Sequence, residues 1–260
     1  VLALDVIYQN YGEDPALIDI AAKQNTVVFS EGGFKVAKHV AENKAKPFTW
    51  KSVNLGDGAD GKQGGVGILR EGPSSDQLCQ IMRYTSHGLA HGHYDKLTQL
   101  LYDKGNEILQ DYGAVRWVAV IQKNGGRYLP ENTTWGKQTI SHNTLVVDEK
   151  SHFNGDIDES SKHHSDLYFY DATKADYQIM SAVEKNAYPG IKMHRTFVMI
   201  TDTLLERPFV LDIFNVTSKT KHQLDLPFHY LGEIMDMSFE YEVMDAAWRP
   251  LGKANGYQHL

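Results

Sequence analysis

Cysteine is almost missing from this sequence: Cys79 is the single thiol in 260 residues. An internal disulfide framework is therefore excluded, and one thiol leaves the compartment open. Long apolar runs are missing too. None approaches the ~20 residues that would carry a helix across a bilayer. Nor is there an excess of positive charge, for the formal net charge is -7 and the isoelectric point about 5.9. A field of that sign disfavours nucleic acid and anionic membranes as partners. A polyanionic substrate would need a local cluster of Arg, Lys and His. Internal repeats, low-complexity tracts and a glycine-rich phosphate loop are also lacking. What remains, 42% hydrophobic and 23% charged residues, is the composition of a globular protein with room for one large domain or two unequal ones.

The sequence opens on "VLALDVIYQN" with no initiator Met or signal peptide, and closes on "NGYQHL" without a finishing element. It is expected to be a piece of something longer. Residues 1–50 read as helical. In "GEDPALIDIAAKQN", Asp14 is a cap and Pro15 stands at the first helical position, where its missing N–H costs nothing. Leu17, Ile20 and Ala21 then recur at helical spacing. "SEGGFKVAKHVAENK" repeats the pattern, with Ser30 as cap and Phe34, Ala37 and Ala41 expected on one face. Pro47 ends the stretch. The polar "NLGDGADGKQGGVG" that follows reads as a linker or long loop.

Beyond it the pattern is β. "LCQIMRYTS", "LTQLLYDKGNEILQDYG", "HNTLVVDEK", "DLYFYDA", "YQIMSAVE", "HRTFVMITD" and "PFVLDIFNVTS" are short runs rich in β-branched and aromatic residues, divided by turn signals. Without regular helical alternation, such a series predicts an antiparallel β-sandwich over 51–260.

The segment 86–113, "SHGLAHGHYDKLTQLLYDKGNEILQDYG", places His87, His91 and His93 ahead of a hairpin with glycine in its turn. If the hairpin closes, its two ends return to one sheet edge, and His93 meets Asp111. His142, opening "HNTLVV", could join them. Two imidazoles and a carboxylate suit zinc; hydrogen-bonded polar residues at strand ends are the alternative. His91-Gly92-His93 also opens like a cupin metal motif, but Leu97 stands where that motif needs a Glu. His222, Asp225 and His229 read as hydrogen-bonded packing residues, because 222 and 225 point oppositely along a strand. "FNGDIDESSKHHSD" reads as a solvated loop.

"HGHYDKL", "GNEILQDYGAVRW" and "RYLPENTTWGKQTISHNTLVVDEK" together resemble the C-terminal β domain of the heparinase II/III-like polysaccharide lyases, and most of all the family-17 oligoalginate lyases. "VVFSEGGFKVAK", "PFTWKS" and "HQLDLPFHY" extend the resemblance over nearly the whole chain. It implies the last helices of an α/α toroid over 1–50, followed by the sandwich. It implies a structural zinc held by His93, Asp111 and His142, with water as fourth ligand. It also implies an acidic oligosaccharide substrate, alginate, and a periplasmic or cell-surface location in a bacterium. Oligomeric state stays open, a homodimer among the options.

Lyases of this kind break the bond to a uronic acid by β-elimination, in three tasks. The carboxylate must be neutralised while the C5 proton leaves, a base must take that proton, and an acid must supply one to O4. The resemblance puts Tyr128 in the cleft as the catalytic proton carrier, and His91 and Arg116 on the acidic sugar. An amphipathic loop residue and a surface charge are the plainer readings of Tyr128 and Arg116. The toroid residues that share the catalysis in such lyases have no counterpart in this sequence, and His142-Asn143 is not their Asn-His pair. The expected activity is exolytic cleavage of alginate oligomers to unsaturated uronate. A heparinoid lyase, or a sandwich that only binds acidic glycans, is the alternative. From 116 to 137 the cations are Arg116, Lys123, Arg127 and Lys137, few for a sulfated substrate.

Overall fold

The structure is a computed structural model that describes residues 2–88, 91–111, 129–202, 204–244 and 249–260. The chain divides into two compact units, Val1–Trp50 and Lys51–Leu260.

The first unit is a helical trio, α1 (Leu2–Asn10), α2 (Pro15–Gln24) and α3 (Glu31–Ala41). Asp14 caps α2 by accepting from Ala16 N at 2.9 Å, and Asn25 ends it in the left-handed conformation. Ser30 caps α3 through Gly33 N. Tyr8, Ile18, Ala21 and Val36 form the core. The buried face of α3 differs from the expected one. Phe34 is 74% exposed and Ala41 is also exposed, while Gly32, Gly33, Val36 and His39 face inward. The cause is backbone approach: a Cβ on Gly33 would lie 1.8 Å from Val28 O, so α3 packs on its glycines.

The second unit is built from antiparallel sheets. β1 (Val53–Gly56), β2 (Gly65–Arg70), β3 (Cys79–Arg83), β4 (Thr98–Asp103) and β5 (Asn106–Leu109) form a meander in sequence order. β7 (Asp166–Asp171), β8 (Tyr177–Glu184), β9 (Lys192–Ile200) and β10 (Phe209–Thr217) form a second sheet in the order β10-β9-β8-β7. A short pair joins β6 (Val146–Val147) to β11 (Leu224–Asp225). Strict alternation of burial along β2 and β9 shows one face of each sheet turned to a common core. Leu69, Met82 and Tyr84 come from the first sheet, and Met180, Phe197 and Met199 from the second. The sheets approach each other tightly at Gly67, where an added Cβ would meet Met180 Sδ at 2.8 Å.

The glycine-rich stretch expected as a linker instead contributes β1 and the start of β2, paired from Val53↔Ile68 to Gly56↔Gly65. Its glycines hide the strand signal because they are there for contact: a Cβ on Gly65 would strike Leu55 O and the Tyr84 ring. The β4–β5 hairpin closes on Lys104 and Gly105, both at positive φ, the two-residue turn that matches strand twist.

Candidate functional site

Three segments converge at one end of the five-stranded sheet: the loop from β3 to β4, the stretch leaving β5, and the residues after a 3-10 turn at Thr139–Ser141. The first carries His87, His91, His93 and Asp95, the second Asp111, and the third His142.

The β3–β4 loop is sterically specified. A Cβ on Gly92 would fall 1.5 Å from His87 O, so only glycine at position 92 can lie against that carbonyl. From there, hydrogen bonds lace the loop to the 137–152 segment. Tyr94 N donates to Lys137 O, and Thr139 Oγ1 donates to Tyr94 O at 2.6 Å. Thr144 Oγ1 donates to Lys96 O at 2.6 Å. Lys96 N donates to His152 Nδ1, and His152 Nε2 donates to Leu145 O. Burial pushes His152 down to about 3, which keeps the imidazole neutral for that double role. Lys96 is buried as well, with its ammonium on Thr85 O and His163 O. Burial lowers its pKa to about 8.

Two further buried groups brace the assembly. Asn143 donates to Gln99 O and Gln110 O and accepts from His229 N at 2.6 Å. Arg195 donates through Nη1 to Leu97 O at 2.9 Å and Asn143 O at 2.6 Å, and grips Asp212 through Nε and Nη2. Its guanidinium lies 4.8 Å from the Phe197 ring centroid and 4.7 Å from that of Phe214. Leu97 itself holds φ 61, a conformation that costs a side chain about 1 kcal/mol or more and persists because its surroundings impose it.

The result is a tight cluster. The His93 and His142 rings lie 5.1 Å apart. One donor atom each from His93, Asp95 and His142 fall within 4.8 Å of one another. Asp111 Oδ1 lies 2.5 Å from His142 Nδ1, and Arg83 makes ion pairs with both Asp95 and Asp111. Burial, with His142 and Arg83 adding to it, pushes His93 down to about 3 and leaves it a neutral imidazole. Burial acts to raise the Asp111 carboxyl, but His142, Arg83 and His93 outweigh it and hold it below the ordinary value.

Three buried polar atoms in the cluster have no hydrogen bond: His93 Nδ1, His142 Nε2 and Asp111 Oδ2, although Arg83 Nη2 is 3.0 Å from the last. Orphaned buried donors and acceptors are costly. Neutral imidazole nitrogen and carboxylate oxygen are zinc donors, so this residue set fits a zinc ion. Sequence reading did not include Asp95. Its signal is weak but readable, a carboxylate two positions after His93 at the same loop exit.

His91 is exposed on the same loop. Arg116 and Tyr128 lie outside the described residues. His87 is buried, paired through Nδ1 with Ser160 Oγ at 2.9 Å and set against the Tyr94 ring; burial pushes it down to about 4. His222, Asp225 and His229 do not converge on one another. They bond Asp148, Tyr257 and Ile140 O respectively.

Residues 54–255 match the family described as "Heparinase II/III-like, C-terminal". The chain is 46% identical over its whole length to an "Exo-oligoalginate lyase" of Saccharophagus degradans, and 43% identical to an "Alginate lyase" of Stenotrophomonas maltophilia. It spans 35% of the length of each. Among solved structures, a heparinase III is similar with a TM-score of 0.57 at 16% identity, over 85% of this chain and 31% of that one. A form of it with methylated lysines gives 0.56 at 17%, over 77% and 27%. At that identity the likeness is one of fold.

Proposed function

The chain belongs to the heparinase II/III-like C-terminal family, and on that premise we propose that it is the β-sandwich portion of a lyase acting exolytically on alginate oligosaccharides. The observation that carries this reading is the identity of 46% and 43%, along the entire chain, to two alginate lyases.

Each residue has a defined task. His91 and Arg116 bind the uronate carboxylate and offset the charge that develops at C5 as its proton leaves. Tyr128 moves the proton. As a phenol it can donate to O4; as a phenolate, favoured by the Arg116 guanidinium, it can take the C5 proton. His93, Asp111 and His142 would hold a zinc ion, with Asp95 a second carboxylate within reach. Held there, it would supply structural cross-linking, tying the β3–β4 loop to the stretch leaving β5 and to the segment after the 3-10 turn. Arg83 balances the two carboxylates, and the lacing of 94–97 to 137–152 fixes where His91 stands. A periplasmic or cell-surface location goes with an oligomeric uronate substrate, and no helix among the described residues is long and apolar enough to cross a membrane.

The test is ultraviolet detection of unsaturated uronate from the full-length protein, with oligomannuronate, oligoguluronate and heparan sulfate as substrates. Turnover of an alginate oligomer is expected, reduced at least a hundredfold in Tyr128→Phe, in line with the loss of a general acid–base group. Turnover of heparan sulfate alone would reassign the substrate. No turnover of any uronan by folded protein would leave glycan binding without catalysis.

A further inference from the structure

At the end of the second sheet where β9 begins and β10 stops, a pocket of about 250 Å³ lies outside the histidine cluster. Three separate segments bring a lysine to it. Lys185 follows the last residue of β8, Lys192 opens β9 opposite Thr217, and Lys219 stands two residues past β10. All three are exposed. None forms an ion pair with a carboxylate among the described residues.

The carboxylates on adjoining segments are engaged elsewhere. Glu184 is turned inward, bonded to Ser165 Oγ and to the backbone N–H groups of Asn186 and Ala187. Asp148 accepts from Gln223 N and pairs with His222. On a chain of net charge -7, three uncompensated ammonium groups around one concavity make a local field for an anion. Thr217 and Ser218 add hydroxyl groups and Ile191 adds an apolar wall. A carboxylate flanked by hydroxyls on a ring with an apolar face matches that lining, and lysine suits single carboxylates as a compact point charge.

We propose that this pocket is a second glycan-binding site that takes a carboxylate-bearing sugar unit of a polyuronate. It holds the polymer to the protein independently of the residues assigned to bond cleavage. The inference deepens the reading above and rests on it only for the identity of the polymer.

The experiment is affinity electrophoresis of the full-length protein in gels containing polymannuronate, polyguluronate or neutral dextran. Each mobility is divided by that in a polymer-free gel, which removes the effect of altered protein charge. The probe variant is Lys185→Gln/Lys192→Gln/Lys219→Gln. The charge-matched control is Lys62→Gln/Lys162→Gln/Lys253→Gln. Retardation by polyuronate is expected in the native protein and the control, with at least a tenfold weaker apparent affinity in the probe variant and none of it in dextran. It should fade as NaCl rises toward 1 M, as exposed ion pairs are screened. Equal retardation of native and probe proteins would overturn the site. So would displacement by millimolar inorganic phosphate, which would mark a general anion pocket. Retardation is read without turnover, so a failure of the lyase reading leaves this result distinct.

Discussion

Replacing Arg195 with Met should be among the most damaging single changes in the second unit. The guanidinium is fully buried and makes four hydrogen bonds, two to the Asp212 carboxylate and one each to Leu97 O and Asn143 O. Met fills much of the volume between Phe197 and Phe214, so little cavity cost is added. The loss is therefore electrostatic. Breaking a buried pair by removing one partner costs about 3–5 kcal/mol. Asp212 keeps 21% side-chain exposure, which places its share at the lower end, since water can solvate the carboxylate. Two carbonyls deprived of their donor add about 1–3 kcal/mol each where water cannot reach them. Some of that overlaps, and about 4–5 kcal/mol is the expected total. For a unit of this size that is roughly 8–20 °C in melting temperature. Asp212→Asn should cost about 3 kcal/mol, the lower end for a broken buried pair, because the guanidinium is left without its counter-charge while the Asn amide oxygen still accepts from it and Arg195 retains both carbonyls. Urea unfolding of the two variants, monitored by tryptophan fluorescence, gives the ranking directly. An Arg195→Met loss below about 1 kcal/mol, or a larger loss in Asp212→Asn, would refute the view that the carbonyls of Leu97 and Asn143 depend on this side chain.

Metal content offers a second check. The full-length protein should carry about one zinc per sandwich by elemental analysis, and His142→Ala should carry none. Chelation should lower the unfolding free energy by about 4 kcal/mol if free zinc had stood near a thousand times its dissociation constant. The pH dependence follows from His87 at about 4 and His152 at about 3, both below the ordinary 6.5. Unfolding lets them take up protons that the folded state refuses, so their stabilisation is complete above pH ~6.5 and is lost as pH falls toward those folded values. At about 1.4 kcal/mol per unit, His152 alone carries several kcal/mol. Urea midpoints should drop steeply from pH 7 to pH 4.5, with a shallower slope in His152→Gln; an unchanged slope would remove His152 as a cause.

Local chemistry made much of this protein readable in advance. Asp14 and Ser30 cap their helices as side-chain acceptors ahead of an apolar period, and Lys104-Gly105 dictates its own tight turn. Alternation in "MHRTFVMI" and "FVLDIFNVT" fixes strands without reference to any partner. Because a hairpin returns its ends to one edge, the proximity of His93 to the Asp111 segment also follows from sequence. Glycine was misleading where its value lay in close contact. Gly65 reads as linker, and Gly32 and Gly33 are absent from the face expected of α3, because a residue without a side chain leaves no pattern and its neighbour is unknown until the fold is seen. Tertiary structure alone decided that Asp95 joins the histidines. It also decided that Arg195, from the opposite sheet and an ordinary cation in the sequence, braces the loop beside them. Both depend on which strands face each other across the core, a pairing set by the packing of two sheets, which no local spacing encodes.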